Sequence, residues 1–491
     1  MDNATLTRPT SLTSPLDTPP LVSGAKPLIG HAAQYMRNPI TFLERGYREH
    51  GNVFACQLGS QYTAVVLGRG YNKFFFSETD NLLSIREGYP FFLKMFSKDF
   101  YFFAPPTEYM KQREVVMPKF KVDAMKSYVA LMAEETEQLI ASLGEQGEFD
   151  LIPTLGPLVM NIAAHAFLGR DFRGKLDETL FRDFRDFSGG MEVIWPLWLP
   201  LPHLRKSRAA RKKLHRVLKE WIQYRRERPL DPPDFFQNLI KATFSDGTSI
   251  TEEIAINLIL LLVWAGHETT AGQISWALID LLQHPNYLDE VRNQTKQIMD
   301  GRSMSAMTWQ DTRDMVDMEM AVKESERLHP VAYVLARRVT EDIELGGYRI
   351  PKGTMIMAAP CISHRMPEIF PHPHVYNPRR FAPGAGDPSH ETNALIGFGG
   401  GLHRCAGVNF ARLEMKIVLA MLASHYHMEL VDAPRQLNSP VTQWPAQPCR
   451  VRYKRRAVQT SSVSTTKEHA REQIATATYS SSPSKCPFHP H

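Results

Sequence analysis

The segment Phe398-Gly-Gly-Gly-Leu-His-Arg-Cys405-Ala-Gly407, followed by an amphipathic helix predicted from Val408 towards Leu422, decides how this chain is read. A glycine-rich turn that ends in a cysteine at a helix N-terminus lets backbone N–H groups and the helix dipole favour the thiolate, the form in which cysteine ligates iron. The glycines at 399, 400, 401 and 407 are expected to let the backbone approach a flat cofactor closely. The bland alternative is a buried structural cysteine after a loop, which is common for a lone cysteine and uncommon for the whole pattern.

Other constellations precede this loop. Glu324-Ser-Glu-Arg327 puts a carboxylate and a guanidinium at i and i+3 on one helix face, and Pro378-Arg-Arg-Phe381 adds a second guanidinium at Arg380. Alone, the first would usually be a solvated pair. A long helix predicted from Glu252 to Gln283 carries Ala265-Gly-His-Glu268-Thr269-Thr270. The Thr269 hydroxyl can bond a carbonyl one turn back and open the helix locally. The string HETTA lacks the second histidine of the zinc motif HExxH, since position 271 is alanine, so a zinc protease is rejected.

The chain around these motifs has 491 residues, with 43% hydrophobic and 22% charged, which is ordinary globular usage. We expect a loose arm over residues 1–23, one catalytic domain over 24–456 and a disordered tail over 457–491. The fold class is mainly α with a small β region. Helices are predicted over Met125–Ser142 and Ser207–Arg228, a hairpin over Asn52–Leu67 and two strands within Ile343–Met357. A net charge of +5 gives no case for nucleic acid. The five cysteines, Cys56, Cys361, Cys405, Cys449 and Cys486, are odd in number and without a CxxC pair, which points to a reducing compartment. The N-terminus shows no signal peptide or anchor, so a cytoplasmic protein is expected.

Trp195 to Pro202 is apolar and broken by prolines, and a basic run, Arg205 to Lys213, follows it. A packed loop before a solvated basic helix is preferred over a lid touching lipid, so at most peripheral membrane contact is expected. Cys486, His489 and His491 in the tail could bind metal, but disorder is favoured there.

The cysteine loop resembles the cytochrome P-450 haem-binding signature FxxGxxxCxG, matched at Phe398, Gly401, Cys405 and Gly407. The other motifs follow in that family's order and extend the resemblance over most of the chain. It implies haem b with Cys405 as the axial ligand, and a buried brace of Glu324, Arg327 and Arg380. It also implies an acid and an alcohol, Glu268 and Thr269, that relay protons beside the haem. Arg337 and His403 are the implied propionate partners, with Arg113 a third candidate, because Tyr109-Met-Lys-Gln-Arg113 is similar to the family's WxxxR with tyrosine for tryptophan.

Within the family the chain resembles bacterial, soluble sterol 14α-demethylases. Tyr89-Pro-Phe-Phe-Leu-Lys-Met-Phe96 is similar to the segment lining their sterol site, which nominates Tyr89, Phe92, Met95 and Phe96, with Phe103 and Ala265 beside them. Two departures stand out. Phe103 replaces the usual aspartate of the following segment, with Asp99 at a glycine, and Glu268 replaces the usual histidine. The implied activity is oxygen insertion into a lipophile, either a sterol or a terpenoid, fatty acid or polyketide. Electrons would come ultimately from NAD(P)H through a ferredoxin or flavoprotein, since no flavin- or nucleotide-binding stretch remains unassigned. Arg404 would belong to the surface that meets it. The rivals are an isomerase or peroxide-using enzyme of the same fold, and a non-catalytic haem-thiolate ligand-binding or sensor protein.

Overall fold

The computed structural model describes residues 16–97, 100–191, 200–385, 392–438 and 442–457. The described residues up to Arg455 form one compact body, and it is mainly helical. At its centre runs the helix Glu252–Gln283, whose residues from Ala255 to Leu281 are buried with few interruptions. A helix apolar on nearly every side must be surrounded by other elements. Here it shares one core with the helices Val122–Leu143, Leu151–Leu168 and Val408–His425. Leu151–Leu168 and Glu252–Gln283 are long and apolar enough to cross a membrane, but two thirds of each apolar window is buried inside the protein.

The expected helices and hairpin are found, with ends moved by a few residues: Val122–Leu143, Pro202–Glu227 and the paired strands Val53–Leu58 and Gln61–Val66. Thr251 caps the long helix by accepting from the Ile254 amide, as expected of a threonine before an acidic first turn. On the basic run, Leu204, Ser207, Ala210 and Leu214 face inward while most cations stay in solvent. The segment Trp195 to Leu199, most of the expected packed loop, lies outside the described residues. So does the chain from 458 on, with Cys486, His489 and His491.

Two expectations are corrected. Residues 16–23 are not a loose arm where the structure describes them: Leu21 bridges Ala55, the Ala55 amide donates to Pro20 O at 2.8 Å, and Val22 is buried. The proline-rich segment is extended, and it covers the outer edge of Val53–Leu58, which would otherwise be left open. Ile343–Met357 holds three strands rather than two. Ile343–Leu345 and Tyr348–Ile350 pair only with each other, whereas Met355–Ala358 enters the five-stranded sheet between Gln61–Val66 and Leu335–Val339. A further sheet of Gln146–Asp150, Arg450–Arg455 and Tyr426–Leu430 joins segments some three hundred residues apart.

Candidate functional site

The Cys405 loop is shaped by its neighbours. Gly401 has φ +61°, and a Cβ there would lie 2.8 Å from Phe76 O, so glycine is required by backbone conformation and by space. A Cβ on Gly400 would strike the Phe76 ring at 2.6 Å. These two glycines therefore serve packing of the loop on Phe76, rather than the approach to a cofactor expected of them. The Cys405 amide donates to Phe398 O at 2.9 Å, and the helix Val408–His425 starts three residues later.

Cys405 is enclosed by protein except on one side, where it borders an internal cavity, so its surface is accessible while the group is deep. Burial holds its thiol above the usual range. The Gly407 amide and the cations of Arg404 and Arg412 pull the other way, and Glu326 adds to the upward push. The cavity has a volume of about 420 Å³. Its floor includes Phe398, Cys405, Gly407 and Phe410, and its roof includes Phe92, Leu261, Trp264 and Ala265.

Of the predicted acid and alcohol on the long helix, Thr269 is a cavity-lining residue and Glu268 is not. Thr269 lines the cavity and donates to Ala265 O at 2.7 Å, as its position suggests, yet the helix stays α-helical through this turn and does not open. The Ala265 carbonyl accepts the hydroxyl without helical geometry being lost. Burial raises the Glu268 carboxyl to about 7, against a hydrogen bond with Ser188 that lowers it. The neighbouring His267 turns away to the helix Leu151–Leu168. There it bonds the Gly156 backbone, and burial together with Arg185 lowers it to about 4.

The three cationic candidates separate. Arg337 lines the cavity, anchored by Nε to Thr79 Oγ1 at 3.1 Å and by Nη1 to Ala336 O at 2.7 Å, with its guanidinium 4.9 Å from the Phe75 ring centroid. His403 also lines it: its ring stacks on Tyr109 at 4.5 Å, Nε2 meets Asp80 Oδ2 at 2.5 Å, and Nδ1 is buried with no partner among the described residues. Arg113 is not among the cavity-lining residues. Its cation acts on the Tyr109 hydroxyl, which donates to Leu402 O at 3.3 Å, and Tyr109 is the residue at the wall.

The brace is complete. Glu324 and Arg327 are both fully buried, joined by Nε to Oε2 and Nη2 to Oε1, each at 2.8 Å. Arg380 Nε lies 3.1 Å from Glu324 Oε2, and the Asn377 amide donates to Glu324 Oε1 at 2.8 Å. Arg327 also donates to the carbonyls of His364, Pro373 and Val375.

The aromatic segment is split by the turn of its own short helix, Phe92–Met95. Tyr89, Phe92 and Ala265 line the cavity, whereas Met95, Phe96 and Phe103 do not. Phe103 is fully buried behind Phe92, ring centroids 5.2 Å apart, and Phe96 packs on Phe100 and Phe187. Those three are a second layer that holds the lining ring in place. Asp99 lies outside the described residues. Sequence reasoning missed Glu326, which borders the cavity and bonds Arg412 at 2.8 Å, and Tyr101, Phe120 and Phe410 in the wall. The third letter of ESER was the only available signal for Glu326, since an acid two residues after another on one helix has no distinguishing period.

The chain matches the family model described as cytochrome P-450 over residues 19–451. It is 29% identical over 447 residues to a sterol 14alpha-demethylase of Mycolicibacterium vanbaalenii, covering 89% of this chain and 98% of that one. It is 27% identical over 457 residues to the lanosterol 14-alpha demethylase of Bos taurus, covering 89% and 90%. In structure it is similar to a retinoic acid-bound cyanobacterial CYP120A1, with a TM-score of 0.80 at 23% identity, over 90% of this chain and all of the other. That likeness establishes the fold. A family match that starts where the edge segment joins the sheet and runs into the last strand leaves little of the body unaccounted for, and the chain therefore belongs to the cytochrome P-450 family, as a haem-dependent monooxygenase.

Proposed function

We propose that this enzyme oxygenates a large, rigid, apolar substrate of the sterol type, using Cys405 as the haem ligand and Glu268 with Thr269 as the proton route. The observation that carries this reading is the cavity itself. Cys405 and the Phe92 and Trp264 rings border the same cavity, and its lining is mostly apolar, with Thr269, Thr270 and Gln273 among the few polar groups from the long helix. The sterol demethylase relatives support the substrate class.

The residues present fit haem on grounds internal to the structure. A thiol borders the floor, and an Arg337 guanidinium and the unpartnered Nδ1 of His403 sit at its edge, where acidic groups of a flat ring need donors. Opposite, Gly266 lines the cavity, and a Cβ there would meet nothing within 4 Å, so the face of the long helix is left clear. When bound, haem supplies the activation of O₂. Arg337 and His403 would orient it, with Arg113 acting only through Tyr109. Phe92, Trp264 and Leu261 would bury the substrate and exclude water. Glu268, poised by burial near neutrality, holds the proton, and Thr269 Oγ1 would accept it on a free lone pair and give its own hydrogen to the cavity once the hydroxyl turns from Ala265 O.

Electrons would be delivered by a ferredoxin or flavoprotein at the cysteine side, and a cytoplasmic location with at most peripheral membrane contact accords with this. A second reading, a terpenoid, fatty acid or polyketide as substrate, is favoured by Glu268 in place of histidine. Phe103 no longer argues for it, because that ring stands behind Phe92. The test is turnover of a 14α-methyl sterol with a surrogate ferredoxin, its reductase and NAD(P)H, read by mass spectrometry. A product that has gained oxygen supports the reading. No product from any lipophile would favour a ligand-binding protein.

Two further outcomes are expected. Thr269→Ala should lower product formation by about 10²-fold while reductant consumption continues, because only proton delivery is lost. In the wild type, the fraction of reductant recovered in product should fall as pH rises through about 7, where Glu268 loses its proton, and Glu268→Gln should flatten that profile.

A further inference from the structure

Trp264 borders the cavity from the long helix, in a roof it shares with Phe92, Leu261 and Ala265. Phe92, Phe96 and Phe187 meet its indole edge to face, with ring centroids 5.6, 6.1 and 6.2 Å away. Contacts of this kind hold over a broad range of centroid distances, whereas a hydrogen bond weakens steeply as it bends. The directed contact comes from Trp264 Nε1, which donates to Ser188 Oγ at 2.8 Å. Both side chains are buried, and an indole N–H can only donate, so the ring needs an acceptor at that point. Ser188 Oγ gives its own hydrogen to Phe184 O, 3.2 Å away and one turn back on the helix Glu178–Ser188, which leaves its lone pairs for the indole.

We infer that Ser188 is a positioning residue that fixes the Trp264 indole in the cavity roof and so sets how long a ligand the cavity admits. This rests on the reading of the cavity as the substrate site and not on the sterol assignment. Ser188 is a fixed point because the chain around it is fastened to other elements. Ser207 Oγ, on the helix Pro202–Glu227, donates to Phe187 O at 2.9 Å, and Arg211 Nε of the same helix donates to Met95 O at 2.8 Å. A Cβ on Gly190 would lie 2.6 Å from Ser207 Oγ and 2.9 Å from Met95 Cγ, so the backbone after Ser188 runs closer to both than a residue with a side chain would permit.

With the bond in place, a ligand that reaches the indole can displace it only by leaving a buried donor unpaired. With the hydroxyl removed, that donor is unpaired from the start, since a ring face is a weak acceptor, and moving the indole breaks no hydrogen bond of ordinary strength. The fixed roof therefore favours a ligand that ends below it, and a loosened roof admits a longer tail.

The experiment is an optical titration of the ferric holoenzyme with para-alkylphenyl imidazoles, each bound through its imidazole nitrogen to the haem iron, whose alkyl tails grow by one methylene at a time. Affinity should rise roughly fourfold per buried methylene until the tail meets the roof, and then fall. In Ser188→Ala the fall should come at least one methylene later, so that the first tail too long for the wild type gains about fourfold or more. Ser188→Thr, which keeps the hydroxyl, should restore the wild-type limit. In a Trp264→Phe background, which has no indole N–H, Ser188→Ala should have no further effect. Should Ser188→Ala fail to take up haem, Ser188→Cys, a weaker acceptor, is read in its place with the same expected direction. An unchanged limit in the Ser188 variant, or an equal extension in the Trp264→Phe background, would overturn the inference. No turnover is involved, so the proton route does not enter, and a failure to bind a 14α-methyl sterol would reject the sterol reading while leaving this result standing.

Discussion

Cys405→Ala is expected to lose thiolate ligation completely: the reduced, CO-bound protein should show no thiolate-type band, and turnover should disappear. The expectation follows from the cavity floor. Cys405 is the only described cysteine that borders the cavity, while Cys56 and Cys361 are buried in another part of the core, their thiols each pushed up to about 12 by burial. Neither can substitute. The glycine turn and the Phe398 carbonyl that receives the Cys405 amide fix the sulfur's position, so no neighbouring side chain can reach the same point without remaking the loop. A thiolate-type spectrum in the alanine variant would place the ligand elsewhere.

The second large effect is expected at the brace. Arg327→Ala leaves Glu324 fully buried with Arg380 alone as its cationic partner, and strips donors from three backbone carbonyls. Removing one partner of a buried ion pair costs about 3–5 kcal/mol, because the other charge stays desolvated. Against a total stability of about 5–15 kcal/mol, that is enough to leave little folded holoenzyme at working temperature. Equilibrium denaturation and haem content would both report it. Arg327→Lys should recover only part, since an ammonium cannot span both carboxylate oxygens and the carbonyls of His364, Pro373 and Val375 together. Wild-type stability in Arg327→Ala would mean that the pair is replaceable by the Arg380 contact.

Much of this arrangement was legible in the sequence, and the reason differs by element. The long helix was readable because it is apolar over many turns between a capping threonine and a terminal proline at 285. Cys405, Glu324 and Thr269 were readable because each lies in a short string whose spacing is set within one turn or one loop. What could not be read depends on contacts between distant segments. Gln146–Asp150 contains glycine and two acids, and becomes a strand only because Arg450–Arg455 lies beside it. Phe92 and Phe96 are four residues apart and both touch Trp264, yet Phe92 lines the cavity while Phe96 packs behind it on Phe100 and Phe187.

The most direct test is an optical spin-state titration of the purified ferric protein with a 14α-methyl sterol, run beside terpenoids and fatty acids. A saturable low-to-high-spin shift with the sterol, weaker or absent with the others, is the predicted result for a rigid apolar ligand that reaches from Phe92 to the haem face. A shift with fatty acids or terpenoids and none with the sterol would contradict the sterol assignment.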